Sequence, residues 1–470
     1  MNWLKKQSIE NPNKKFINDL TFGEVYLRVS DLALRLYPFV KNQKRAALFS
    51  SNSVDMALFF LALQVLRREV LMLNTRLTKE EITKQLSELQ IQIVFSRDNQ
   101  ILHPSFIPFQ EVYESEIQEV NQNDLHKVVQ IERNFSPEQI AVIMNTSATT
   151  GHFKSVPLRW RQFEAHVKAS QKSLGSTEND NWLVILPMYH ISGLTILVRS
   201  LYNGTGITIM ERFDEDQVVN FIQEAAVNML SIVPTMLNRI IDRIEKHQLR
   251  VVLVGGEFIP QALVEKSLLK KIPFHKTYGM TETTSQSATF SVLRYPDKKD
   301  SVGLPLEGVT IRIYDPDDQG IGEIVIQSPM LMDGYLGQEP LSGFFHTDDI
   351  GYFDQDGFLY ILDRRKNVII SGGENIYPLE IENVLYTHPQ IRECAVVGKK
   401  NTQWGEVPVL FVVSSLDKDT ILQYLSNKIA RYKLPWEIIY MDALPKNASG
   451  KIVKQKLVLG NGAGAEKDAN

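Results

Sequence analysis

The stretch Ile140-Ala141-Val142-Ile143-Met144-Asn145-Thr146-Ser147-Ala148-Thr149-Thr150-Gly151-His152-Phe153-Lys154 joins two unlike chemistries without a break. Ile140 to Met144 show no polar alternation, which predicts a strand buried on both faces. The chain then passes at once into Thr146, Ser147, Thr149 and Thr150, with Gly151 and Lys154 behind them. Hydroxyls, loop amides and an ammonium make a cradle for phosphate oxygens. The spacing is not that of a P-loop, which ends in Gly-Lys-Ser/Thr. Taken singly, a Ser/Thr-rich loop is more often only a turn.

The surroundings of this strand continue the pattern. Arg45 to Phe49, Val70 to Leu73 and Ile91 to Phe95 read as short buried strands, and Ser30 to Leu36 and Val54 to Leu66 as helices. Further on, Trp182 to Pro187, Gly206 to Met210 and Val251 to Val254 read as strands again. Such alternation predicts an α/β fold of largely parallel sheets covered by helices. After Val302-Gly303 the strands shorten (Val309 to Ile326, Gly351 to Leu362) and are parted by Asp/Gly turns such as Asp354-Gln355-Asp356-Gly357, so a small β-rich unit is expected. A fresh α+β segment follows Asp363-Arg364-Arg365-Lys366-Asn367, with helices Pro378 to Tyr386 and Ile421 to Ala430 and strands Ala395 to Gly398 and Val409 to Val413. The expected division is a large N-terminal domain over 1–363, a hinge at 364–367, a small C-terminal domain over 368–459, and a Gly/Ala/polar tail at 460–470 that should be disordered.

Composition agrees with a large globular chain and removes several classes of function. At about 150 residues per domain, 470 residues suggest two or three domains. The charge of −4, from 51 basic against 55 acidic residues, argues against a nucleic-acid binder held by phosphate contacts. Cys394 is the sole cysteine and cannot form an internal disulfide, which fits a reducing cytoplasm. The start, Met1 to Gln7, lacks the apolar region of a signal peptide. The greasiest stretch, Met56 to Leu63, falls well short of the roughly 20 residues that span a membrane. No membrane insertion is expected, and the oligomeric state is left open.

Three more stretches carry chemistry. In Tyr278-Gly279-Met280-Thr281-Glu282-Thr283, the aromatic can stack on a base, Thr281 can bond a phosphate, and Glu282 can hold Mg²⁺ beside it. Thr347-Asp348-Asp349 and Asp363-Arg364 can grip the two hydroxyls of a ribose. In Pro445-Lys446-Asn447-Ala448-Ser449-Gly450-Lys451, a lysine on a Gly-containing turn can neutralise charge developing on a phosphate. Each alone is a common surface pattern.

Together and in this order, they resemble the adenylate-forming superfamily of acyl-CoA synthetases, nonribosomal adenylation domains and luciferases, over residues 3 to 456. Leu73-Asn74-Thr75-Arg76-Leu77, Leu186-Pro187-Met188-Tyr189-His190-Ile191-Ser192-Gly193-Leu194, Thr281 to Gln286, Asp363-Arg364-Arg365 and Ile369 to Pro378 are similar to the o-succinylbenzoate–CoA ligase branch, which serves menaquinone biosynthesis. The resemblance implies two half-reactions: a carboxylic acid and ATP give an acyl-adenylate and pyrophosphate, and coenzyme A then displaces AMP. It implies Lys451, Glu282 and Thr281 as catalytic residues, Glu282 as the Mg²⁺ ligand, and Thr146, Ser147, Thr149, Thr150, Gly151, Lys154, Gly256, Tyr278, Gly279, Asp349 and Arg364 around ATP. It also implies a mobile C-terminal domain turning about Lys366, with Gly372 and Gly373 beside the pantetheine arm of coenzyme A.

His190, Ser192, Arg199 and Ser285, with Gln286 beside them, are the expected acyl-pocket residues. The acid keeps a second carboxylate after activation, and a buried anion needs a cation, for which Arg199 is the candidate. Two positions depart from the superfamily. Ala148 stands for the first Gly of the phosphate loop, and Asp348 for the Gly of the ribose motif. They leave open a nucleotide-binding pseudoenzyme, besides a ligase for another aromatic or fatty acid.

Overall fold

The computed structural model describes residues 2–97, 106–115, 135–147, 153–256, 259–372, 374–446 and 452–460. Among them lie four sheets. The six-stranded sheet runs Phe106–Pro108, Val94–Ser96, Arg45–Phe49, Glu69–Leu73, Ile140–Ser147, Phe153–Arg159, and only its last pair is antiparallel. The nine-stranded sheet runs Leu304–Pro305, Ala288–Ser291, Phe274–Tyr278, Val251–Val254, Met229–Ile232, Asn181–Val184, Gly206–Ile209, Lys15–Ile17, Leu20–Thr21, parallel through its middle and antiparallel at both ends.

The β-rich unit is a four-stranded antiparallel sheet, Thr310–Tyr314, Gly322–Gln327, Phe345–Phe353, Leu359–Arg364. A five-stranded sheet follows, Glu374–Ile376, Ile369–Ser371, Gly405–Ser414, Ile391–Asn401, with Glu437–Tyr440 added to Gly405–Ser414.

Met56 to Leu63 is buried in a core helix, Val54–Val65, started by the Ser53 hydroxyl accepting from the Met56 amide at 3.0 Å. No helix among the described residues is long and apolar enough to cross a membrane.

Several elements run longer than the sequence reading, among them the helix Phe22–Val40 and the strands Ile391–Asn401 and Gly405–Ser414, and three further boundaries shift for a local reason. The strand expected from Ile91 begins only at Val94. Gln90 takes φ +53 and the Ile91 amide reaches back to Leu86 O at 2.8 Å, so Ile91 is spent on closing the end of the helix Lys79–Glu88 beyond its C-cap, Leu89. The strand expected to reach Pro187 stops at Val184. Beyond it the Asn52 amide bonds Leu186 O at 3.0 Å and Met188 N at 2.8 Å, replacing the ladder. The helix placed at Ile421 to Ala430 is Lys418–Ser426, because Asp417 caps it by accepting from Thr420 N at 2.8 Å. Gly460 ends the helix Lys454–Gly460, and the rest of the expected tail, 461–470, lies outside the described residues.

Candidate active site

The site forms where the strand Phe274–Tyr278 leaves the nine-stranded sheet and returns as Ala288–Ser291. The turn between them is tight. A Cβ on Gly279 would lie 1.5 Å from Ser285 O, so no other residue fits there. Thr281–Thr283 make one 3-10 turn, and Thr284 and Ser285 follow at φ +54 and +94. Left-handed conformations at two residues with Cβ atoms cost of order 1–3 kcal/mol each. They are held by Thr284 Oγ1 donating to Met330 O at 2.6 Å and Ser285 N donating to Met280 O at 3.0 Å. The turn leaves Glu282 buried and Thr281 half-buried, its hydroxyl engaged by no described residue.

The Tyr278 hydroxyl donates to Asp349 Oδ2 at 2.6 Å, and Arg364 Nε reaches Asp349 Oδ1 at 2.6 Å. Asp349 and Arg364 face each other across neighbouring strands of the four-stranded sheet. Burial, and then the adjacent carboxylate, push the Tyr278 phenol well above its ordinary range, so it stays a donor. Asp349 is thereby fixed by an aromatic on one side and a cation on the other. A carboxylate held in this way can accept from a ribose hydroxyl while Tyr278 offers its ring. Asp348 has φ +61, a conformation that glycine adopts freely and Asp tolerates. Its side chain is exposed, and its charge helps raise the Tyr335 phenol.

Glu282 accepts from the Tyr335 hydroxyl at 2.9 Å through Oε1, and Oε2 receives no hydrogen bond from the described residues. Lys154 Nζ lies 4.8 Å from the centre of the same Tyr335 ring. Lys154 is paired with Thr146 across the hairpin Ile140–Ser147/Phe153–Arg159, and the Thr146 hydroxyl bonds Lys154 O at 3.4 Å. Ser147 ends that strand opposite Phe153. Thus Tyr335 ties this hairpin to Glu282. It sits in an irregular segment whose Leu336 amide bonds Ser155 O at 2.9 Å. The sequence reading missed it, since a lone tyrosine after Asp333-Gly334 carries no pattern. Thr149, Thr150 and Gly151, with Ala148, lie outside the described residues, as do Gly373 and Lys451. Gly256 follows the strand Val251–Val254 at φ +84.

The expected acyl-pocket residues fall into two groups. His190 is the extended residue that precedes the helix Ile191–Asn203, and Arg199 lies within that helix. His190 is largely buried; burial, helped by Arg76, lowers it to about 4. Ser192 lies half-buried in the first turn. Arg199 is 2% exposed. Its Nε donates to Thr195 O at 3.1 Å, Nη2 to Thr195 Oγ1 at 3.3 Å and Nη1 to Gln286 Oε1 at 3.5 Å. Its guanidinium lies 4.7 Å from the centre of the Trp182 ring. No carboxylate pairs with it among the described residues, and burial lowers it to about 9. His166, fully buried beside it, has neither ring nitrogen hydrogen-bonded and is held neutral by burial and by Arg199. Ser285 follows the Glu282 turn directly, so Gln286 links the two regions.

Lys366 is exposed in the single turn Arg365–Asn367, between the four-stranded and five-stranded sheets. Gly372 has φ +61 with its amide on Trp404 O at 2.9 Å, and a Cβ there would meet the Trp404 ring at 2.8 Å.

Residues 4–336 match the AMP-binding enzyme family and 380–451 the AMP-binding enzyme C-terminal domain. The chain is 50% identical to the 2-succinylbenzoate–CoA ligase of Lactococcus lactis subsp. lactis (strain IL1403), over 97% of this chain and 100% of that one. It is 34% identical to the enzyme of that name from Staphylococcus aureus (strain MRSA252), over 97% and 99%. Among solved structures it resembles o-succinylbenzoate coenzyme A synthetase of Bacillus subtilis in complex with ATP and magnesium, with TM-score 0.88, 31% identity and 97% and 99% coverage. The same enzyme with its acyl-adenylate intermediate gives 0.86, 30%, and 100% and 98%.

Proposed function

Because the chain belongs to the AMP-binding enzyme family, we propose that it activates o-succinylbenzoate with ATP and transfers the acyl group to coenzyme A, as an AMP-forming acid–thiol ligase of menaquinone biosynthesis. The observation that carries this reading is the connected set around one turn: Tyr278–Asp349–Arg364 on one side, Glu282–Tyr335–Lys154 on the other. The first suits a nucleoside and the second a polyphosphate.

In the first half-reaction a carboxylate oxygen bonds to the α-phosphorus of ATP, the bond to the bridging oxygen breaks, and pyrophosphate leaves. Two anions approach, so positive charge is the main requirement. Lys154 and the hydroxyls of the hairpin hold the leaving pyrophosphate, Thr281 bonds the α-phosphate, and Lys451 lies against the attacking carboxylate. Among the described residues no three His, Cys, Asp or Glu come together, so a metal here would rest on Glu282 and on phosphate oxygens. That donor set suits Mg²⁺, which supplies positive charge to the phosphate oxygens. Tyr335 fixes Oε1 of Glu282, so Glu282 would be held in place to take the ion.

In the second half-reaction the thiol sulfur attacks the carbonyl carbon, the acyl–oxygen bond breaks, AMP leaves and the thiol proton passes to solvent. Sulfur needs the path that Lys451 occupied. The C-terminal domain, 368–459, therefore turns about Lys366 within the hinge 364–367, bringing Gly372 and Gly373 along the pantetheine arm. The second carboxylate of the acid meets Arg199, while His190, Ser192 and Ser285 line the acyl side.

The test is pyrophosphate release with ATP, Mg²⁺ and a panel of acids, with Lys451→Ala as control. Release with o-succinylbenzoate, lost in the variant, is expected. Release with a monoacid but not with o-succinylbenzoate overturns the substrate assignment and Arg199's part in it.

A further inference from the structure

Two acid–base pairs flank the segment that carries Lys451. Upstream, Glu393 pairs with Lys446 and accepts the Leu444 amide at 3.1 Å. Downstream, Lys454 opens the helix Lys454–Gly460 and meets Glu382 Oε1 at 2.7 Å. The two legs are also tied to each other. Lys446 and Ile452 form an antiparallel bridge, and Val453 N donates to Pro445 O at 2.8 Å. The chain is therefore pinned to itself immediately before residue 447 and immediately after residue 451.

Glu382 belongs to a different element, the helix Pro378–Tyr386 that follows the hinge. It is 6% exposed, and the same Oε1 accepts the Val396 amide at 2.6 Å. Burial raises the Glu382 carboxyl while Lys454 opposes the rise, and burial lowers Lys454 while Glu382 and Asp363 more than offset it, so each partner favours the charged form of the other across the 2.7 Å contact. Desolvating two ions costs several kcal/mol each, and apolar residues of similar volume often serve stability as well or better. What apolar residues do not supply is direction. An ion pair fixes which turn of one element faces which turn of another.

Lys454 is three residues past Lys451, so the chain itself keeps the two Cα atoms within about 11 Å, and fixing Lys454 fixes the point from which Lys451 can reach. We propose that Glu382 and Lys454 are a positioning pair for the adenylation half-reaction, setting that point so that the Lys451 ammonium reaches the junction of acid and α-phosphate. The proposal rests on the reading of Lys451 given above. Neither residue touches substrate. The pair matters only in the half-reaction that uses Lys451, and a purely structural pair would not make that distinction.

The experiment separates the half-reactions. Adenylation is followed as pyrophosphate release, and thioester formation from supplied acyl-adenylate and coenzyme A. Glu382→Gln and Lys454→Met should each lower kcat for adenylation about 30-fold with KM for ATP within about 3-fold, since the lost effect is on geometry in the transition state. Thioester formation should stay within about 3-fold, and Lys454→Arg should recover most of the adenylation rate. The double variant should be no slower than either single one. Equal loss in both half-reactions, or unchanged adenylation, overturns the proposal. Thioester formation reports folding; if Glu382→Gln does not fold, the Met and Arg variants of Lys454 decide alone. Lys451→Ala runs in parallel. If it spares adenylation, the reading of Lys451 and this proposal fall together; if it abolishes adenylation while the pair variants do not, only the pair falls.

Discussion

Replacing Arg199 with methionine removes the charge and keeps much of the side-chain length. Burial draws this guanidinium from 12.5 to about 9. At 1.36 kcal/mol per unit, the charged form is about 5 kcal/mol less favourable here than in water. The three hydrogen bonds to Thr195 and Gln286 and the Trp182 ring are neutral and offset this only in part. Arg199→Met should therefore leave the unliganded protein as stable or more stable by about 1–3 kcal/mol, the usual result when a poorly compensated buried charge is exchanged for an apolar group. Substrate should respond in the opposite sense. A carboxylate brought to a buried cation loses about 3 kcal/mol or more when that cation is removed, so KM for o-succinylbenzoate should rise at least about 100-fold. An analogue lacking the second carboxylate should keep its kcat/KM within about 3-fold. Thermal unfolding and pyrophosphate release read the two effects. A variant destabilised by more than about 1 kcal/mol with an unchanged KM for o-succinylbenzoate would refute the argument and make Arg199 a structural cation.

Three further outcomes follow from the geometry. Gly279→Ala places a methyl carbon 1.5 Å from Ser285 O, so ATP-dependent activity should be lost and unfolding should show a cost of about 3 kcal/mol or more. Tyr335→Phe removes the donor at 2.9 Å from a buried carboxylate; adenylation should slow about 10-fold at fixed Mg²⁺, and an unchanged rate would show that Glu282 needs no orienting partner. His190 has its folded value lowered to about 4, below the unfolded 6.5, so its contribution is intact above pH 6.5 and fades as pH falls towards 4. His190→Asn should flatten the fall in stability across that window by up to about 3 kcal/mol, and an unaltered slope in denaturant titrations at pH 7, 5.5 and 4 would contradict the burial of the ring.

Much of this arrangement was legible before any coordinates. Arg45 to Phe49, Val251 to Val254 and Pro378 to Tyr386 keep their expected bounds because each apolar run is bordered by residues that cannot extend it. Errors fell where a side chain or a cap took over backbone bonding, as Asn52 does beyond Val184 and Ile91 does behind Gln90. Such events depend on residues far away in sequence or on one left-handed residue, and neither has a period. The residues proposed for the nucleotide were readable because Tyr278, Glu282, Asp349 and Arg364 sit in patterned stretches. Tyr335 and Glu382 were not, since each acquires its partner only when separate elements pack, and neither was His166, whose burial beside Arg199 arises in the same way.

Asp363 and Arg364 are neighbours on one strand and look in opposite directions. Arg364 clasps Asp349, whereas Asp363 accepts from Asn367 Nδ2 at 2.8 Å and from the Leu379 amide at 2.9 Å. The Leu379 amide lies in the first turn of Pro378–Tyr386, where a helix has no internal acceptor to offer it. Its bound hydrogen is thus shielded only while Asp363 keeps hold of that helix end. Deuterium uptake at this one amide would then count how often that helix end lets go, giving a native clock for the proposed rotation without any label. Saturating nucleotide, by tightening Arg364 on the adjoining residue, should slow that clock.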